Sequence, residues 1–257
     1  MGHKHAGSAS QFSLHVCAPY LEVIRYWSFN LPLYKFIERE FLDSFFTTGC
    51  LRLGTIYDFK DIVEHGISRG DHLEGQHGVK RSNNGTLELT KDKHEPIISE
   101  MFKMEGEGSA TINGGTFVVT RKSPNGFIFC TSNQFTEKLF YDWEREEGLD
   151  ACYEISNVKG FIQAINKAIA SGAFFYMNSD VTYRDETIDY RSEHANINPA
   201  FTKFKDKYGW QCENRTVWGP KGPCYTLNPW IVHVPEAIKY CKPLAFIDNG
   251  TITYASV

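Results

Sequence analysis

YGWQCENRTVW, residues 208–218, sets Gln211 and Glu213 two positions apart and follows them with Arg215 and Val217. In an extended strand, side chains at that spacing share a face, so the amide and the carboxylate would project side by side. The same strand carries Trp210, Val217 and Trp218. A carboxylate set against a largely apolar sheet is rarely there without a use. A surface strand with one solvated face would also carry Q-x-E, so the surrounding sequence has to separate the two readings.

Working outward, 257 residues with 42% hydrophobic and 14% aromatic content can bury a full globular core. The formal net charge of -4 gives no global attraction for nucleic acid or an acidic membrane, so an anionic ligand would need a local basic site. The seven cysteines lack C-x-x-C pairs and zinc-type spacing, which points to free thiols in a reducing cytoplasm and to no metal. No apolar stretch approaches the roughly 20 residues that span a bilayer, and no membrane association is expected.

The pattern along the chain reads as α+β. A flexible segment over 1–15 is expected to precede one domain over 16–257. LYKFI reads as a strand, and EREFLDSFFTTG as a helix with Phe41, Leu42, Phe45 and Phe46 on a core face. CLRLGTIYDF is a strand that embeds Arg52. Residues 61–115 read as a long polar excursion with two hairpins, because Asn84-Gly85 and Asn113-Gly114 are turn signals. Strands FVVTRK and GFIFCTS, helix FTEKLFYDWEREEG, strand DACYEIS and helix VKGFIQAINKAIAS follow. Strands VTYRD, QCENRTVW, WIVHV and a closing pair complete the alternation. Neither a GxGxxG nor a Walker loop supports a doubly wound nucleotide-binding fold.

Arg52 in CLRLGT, Thr131-Ser132 closing FIFCTS, and Gln211-x-Glu213 occur in one order. Together they resemble the arginine, serine-threonine-serine and Q/E-x-E triad of the ADP-ribosyltransferase fold, with Cys130 at the first hydroxyl position. The strand with Tyr34-Lys35, the segment Arg69, Gly70, Asp71, Glu74, Gly75, the helix with Trp143 and the K-F-K and E-x-R elements extend the likeness. Over roughly residues 33–218 the order is similar to a prokaryotic family of intracellular ADP-ribosyltransferase-like proteins. That family often has E-x-E where this chain has Gln211-x-Glu213.

The resemblance implies two small, packed, mostly antiparallel sheets with flanking helices, and a cleft that takes NAD as co-substrate. Glu213 would stabilise the oxocarbenium-like transition state formed when the nicotinamide–ribose bond breaks. Arg52 would hold a phosphate or ribose oxygen beside Gly54, Thr131 and Ser132 would shape the nicotinamide pocket, and Gln211 would orient the nucleophile. Tyr141 or Trp143 would stack on the ligand, and Asp71 and Glu74 would stand at the cleft rim. The implied activity is mono-ADP-ribosylation of an intracellular nucleic acid or protein, in the manner of a toxin or antiphage effector with an antitoxin partner. NAD hydrolysis and a silent NAD- or partner-binding module stay open as alternatives. Lys80-Arg81 and residues 203–207 could touch a phosphate backbone, although a solvated charged face is the commoner explanation.

Overall fold

The computed structural model describes residues 31–60, 70–91, 96–103, 105–222 and 226–256; the expected flexible segment 1–15 and Arg69 lie outside them. Local signals account for the helices. Helix α1 (Arg39–Thr48) buries Leu42 and Phe45 and stops at Gly49, whose backbone is left-handed at φ 72°. That stop is also a close approach, since a Cβ on Gly49 would lie 2.4 Å from the backbone of Val234 and Pro235. Phe41, expected in the core, is exposed. It lies one helical turn before Phe45 and lines a cleft instead. In α3 (Glu137–Glu147), Thr136 caps the start by accepting from the Leu139 amide, and Gly148 ends it. Asn157 does the same for Gly160 at the start of α4 (Val158–Ala168).

The strands β1 (Leu33–Ile37), β2 (Cys50–Thr55), β5 (Phe127–Ser132), β6 (Ala151–Ile155), β7 (Ala173–Asp180), β11 (Glu213–Pro220), β12 (Trp230–His233), β13 (Cys241–Asp248) and β14 (Thr251–Tyr254) form one nine-stranded sheet. All its pairings are antiparallel. The decisive strand is β5. Along one edge it pairs with β11 from Phe127↔Trp218 to Ser132↔Glu213. Its other edge is shared: β2 takes Phe127 and Ile128, and β1 takes Ser132. The sheet therefore forks over Phe129–Thr131, with α1 running from one prong to the other. Two separate sheets were expected; β5 belongs to both, so its hydrogen bonds join them into one forked sheet.

The polar middle also differs from expectation. β3 (Gln76–Thr90) and β4 (Ser109–Lys122) form a single long antiparallel ribbon. Its register shifts between Asn83 and Thr86, opposite Gly115 and Asn113, so the two Asn-Gly signals face each other at a bulge. Gly114 and Gly115 carry positive φ there, which is the backbone freedom that a turn would also have used. Helix α2 (Pro96–Met101) links the two strands and buries Ile97 and Ile98 against Val79, Leu89 and Phe117. β9 (Thr187–Asp189) adds to β3 in parallel, and β8 (Thr182–Arg184) pairs in parallel with β10 (Thr202–Phe204), which leads into α5 (Lys205–Tyr208).

The largest core lies between the sheet, α1, α4 and α6 (Pro235–Ile238), around Phe45, Tyr153, Phe161 and Trp218. Each such side chain contributes about 1.5–3 kcal/mol by leaving water. A second cluster packs α3 against β1, β6 and β13 through Phe36, Phe140 and Leu149. No helix among the described residues is long and apolar enough to cross a membrane.

Candidate active-site cleft

Where the sheet forks, a cleft of about 420 Å³ opens, a size suited to a small-molecule ligand. One side is the open edge of β5 from Phe129 to Thr131, and the flanks are the diverging prongs β1 and β2. The fork leaves the Cys130 carbonyl without a strand neighbour on this side. Lys35 Nζ donates to it at 2.9 Å and lies 5.0 Å from the centre of the Phe129 ring. Phe41, Phe59, Ile231 and Trp143 add apolar walls, and Arg52 stands on the β2 prong.

The floor is charged. Arg215 donates from Nε to Glu213 Oε1 at 2.7 Å and from Nη2 to Glu213 Oε2 at 3.3 Å. It also grips Glu74 in a two-pronged pair, at 2.6 Å from Nη1 and 2.9 Å from Nη2, and Nη1 reaches the Ala200 carbonyl at 2.7 Å. All five N–H donors of the guanidinium are thus engaged. On the far side of Glu213, Lys203 Nζ lies 2.9 Å from Oε2, and it donates to Gln211 Oε1 at 3.0 Å. The side chains of these four charged residues are all at most 6% exposed. Two carboxylates and two cations cancel formally, which is what allows such a cluster to stay buried.

Burial alone would raise the Glu213 carboxyl, but the charges of Arg215 and Lys203 outweigh it and hold the group well below the usual carboxylate range. Glu213 is therefore ionised at neutral pH. Its two oxygens offer about four acceptor positions, and three protein contacts leave one on Oε1 for a ligand hydroxyl. Burial, then the neighbouring Glu213 charge, pushes the Cys130 thiol up to about 12, so it is no thiolate nucleophile. The Glu213 amide donates to Tyr183 Oη at 2.7 Å, fixing the start of β11.

Arg52, Gly54, Thr131, Ser132, Trp143, Gln211 and Glu213 all line this cleft. Their arrangement departs from expectation in five ways. Gln211 is not on the strand with Glu213. It ends the 3-10 turn Gly209–Gln211, and Cys212, left-handed at φ 47°, breaks the extended run. The buried amide meets Glu213 only through Lys203. Thr131 and Ser132 point to opposite faces of β5. Ser132, paired with Glu213 in register, donates to the Gln211 and Cys212 carbonyls and ties down the entry to β11.

Arg52 is bound to Asp58 at 2.8 Å, the neighbouring-carboxylate pairing that strand arginines commonly find. Tyr141 faces solvent from α3 and does not line the cleft, because the helix turns Phe140 inward and Tyr141 away. Glu74 lies not at a rim but buried behind the floor; Asp71 is buried as well. Trp143 both packs and lines, lying 4.7 Å from Trp210 and 6.0 Å from Phe36 between ring centres.

Lys35, Glu74, Lys203 and Arg215 were not placed by sequence reasoning in the wall and floor of the cleft, although Glu74 was named at the rim. Lys203 sits in a run read as a solvated face, yet it is buried. Arg215 had a legible signal: it shares the Glu213 face of an apolar strand, where a lone guanidinium cannot stay without carboxylates. No family model, curated protein or solved structure matches this chain.

Proposed function

We propose that this chain is an NAD-dependent mono-ADP-ribosyltransferase that works in the forked-sheet cleft. The observation that carries the reading is that Arg52, Ser132 and Glu213, from three different strands, converge on one cleft with Glu213 ionised on its floor. The side chains suit the co-substrate. Lys35 and Arg52 offer cations for a pyrophosphate, and Trp143 and Phe59 offer flat apolar walls for rings. Gly54 keeps the β2 side bare, since a Cβ there would lie 2.7 Å from the Phe59 ring.

The remaining acceptor position on Glu213 would take a ribose hydroxyl and oppose the positive charge that develops as the C1′–N bond lengthens. The bonding pair leaves with nicotinamide, and an acceptor nucleophile forms the new bond to C1′ as it loses its proton. The acceptor is a protein or a nucleic acid. Incubating purified protein with adenine-labelled NAD and a cell extract, then digesting with protease or with nuclease, tests this. Label held on a macromolecule and released by one digestion supports transfer and names the acceptor class. Nicotinamide release without retained label means hydrolysis, and intact NAD overturns the reading.

A further inference from the structure

We infer that Arg215, clamped from behind by Glu74, is a positioning residue that fixes the Glu213 carboxylate through both oxygens, and that Lys203, held by Gln211, is its counterpart on Oε2. This rests on the proposed NAD chemistry for its catalytic meaning, though not for its geometry. Every donor of Arg215 is used: two on Glu213, two on Glu74 and one on the Ala200 carbonyl. The fork cannot turn toward Glu213 without abandoning Glu74, so Glu74 sets both the orientation of the guanidinium and how much of its charge Glu213 feels.

Glu74 enters from the segment before β3, which also holds the buried Asp71. That segment is tied to the region before Glu213 by Tyr208 Oη, which donates to the Gly70 carbonyl at 2.7 Å. The stretch around residue 74 is thus built into the floor of the cleft, and Gln211 acts through Lys203 instead of choosing an acceptor.

The charged and titratable groups around Glu213 are Arg215 on its own strand, Lys203 on β10, Cys130 on β5 and Tyr183 on β8, with Glu74 behind Arg215. Lys35 on β1, Arg52 on β2 and Glu38, at the start of α1, complete the charges that line the cleft with it. Deleting Lys203 removes one of two cations that keep the carboxyl ionised, so its proton affinity rises. A rate that needs the carboxylate then falls at a higher pH on the acid side.

The test measures kcat, KM for NAD and the pH profile for the wild type, Lys203→Met, Glu74→Gln and Glu74→Asp, alongside a carbon-13 carboxyl NMR titration of Glu213. Lys203→Met is expected to move both the acid limb and the Glu213 titration up by about one unit or more. Glu74→Gln should lower kcat by about tenfold or more with KM within about twofold, and Glu74→Asp should restore part of that loss. Folded variants with unchanged kcat, acid limb and Glu213 titration would overturn the proposal. A wild type that leaves NAD intact would sink the functional reading alone; the Glu213 titration of the wild type and Lys203→Met still decides the positioning claim. If Glu74→Gln does not fold, the double variant Glu74→Gln/Lys203→Met, which keeps the cluster neutral, takes its place in the titration.

Discussion

Neutralising Glu213 alone leaves Lys203 and Arg215 facing only Glu74, so the buried cluster acquires one net positive charge. Breaking a buried pair in this way costs roughly 3–5 kcal/mol. Glu213→Gln is therefore expected to lose NAD turnover and to melt earlier, and the two effects need separating. Adding Lys203→Gln restores neutrality; thermal melts should show the double variant recovering part of the lost stability while nicotinamide release stays absent. A double variant that turns over NAD at the wild-type rate would remove Glu213 from the chemistry. At the rim, Arg52 is half in solvent and bound to Asp58, so its loss should disturb the fold little. Calorimetry should find NAD binding weakened more by Arg52→Ala than by Arg52→Lys, because lysine keeps the charge but loses the fork. Equal affinity in both variants would make Arg52 a plain ion-pair residue. At this scale the sequence named Arg52, Ser132 and Glu213, and the fold brings all three to one cleft. The sequence alone could not show that Glu74 and Lys203 join one buried cluster, because their partners lie 141 and 10 positions away and only the folded sheet brings them together.

Element by element, the helices were legible because their stops are local: Gly49 and Gly148 end α1 and α3 with left-handed backbone, and Thr136 and Asn157 cap their helices. The long ribbon was not legible, since an Asn-Gly pair signals positive φ whether it makes a turn or a bulge, and the choice depends on what lies opposite. The start of β11 failed for a related reason. Periodicity treats Gln211 and Glu213 as one strand, whereas Cys212 at φ 47° resets the chain between them. The left-handed conformation is tolerable for cysteine and poor for a β-branched residue. Chemical denaturation should therefore show Cys212→Val destabilised by about 1–3 kcal/mol and Cys212→Gly within about 1 kcal/mol of the wild type. The reverse order would mean that the Cys212 side chain, not its backbone, organises the turn.

Across the whole molecule, a second buried titratable group sets an acid weakness away from the cleft. His77 on β3 is buried, with Nδ1 3.3 Å from Thr202 Oγ1. Burial, reinforced by Arg184 and to a smaller extent by Arg121, lowers its pKa from 6.5 to about 4, against a hydrogen bond that the ring donates to the Ala195 backbone. Between those values the unfolded chain binds a proton that the folded chain refuses, so stability falls as pH drops through that window and levels off below it. The loss is on the order of 2–3 kcal/mol, and urea midpoints measured from pH 7 to 4 should show it; His77→Gln should flatten the slope. A slope that survives the substitution would assign the weakness to another group. The α+β class followed from the alternation of local patterns, but the fork in the sheet did not, because two strands sharing one edge of β5 is a tertiary outcome with no periodic trace. That fork makes the cleft, and the cleft is the central claim. Its most direct test is nicotinamide release from NAD, in the presence of cell extract, by the wild type and by the charge-balanced Glu213→Gln/Lys203→Gln variant. Release by the wild type and none by the folded variant is the predicted result; equal release from both, or none from either, would contradict it.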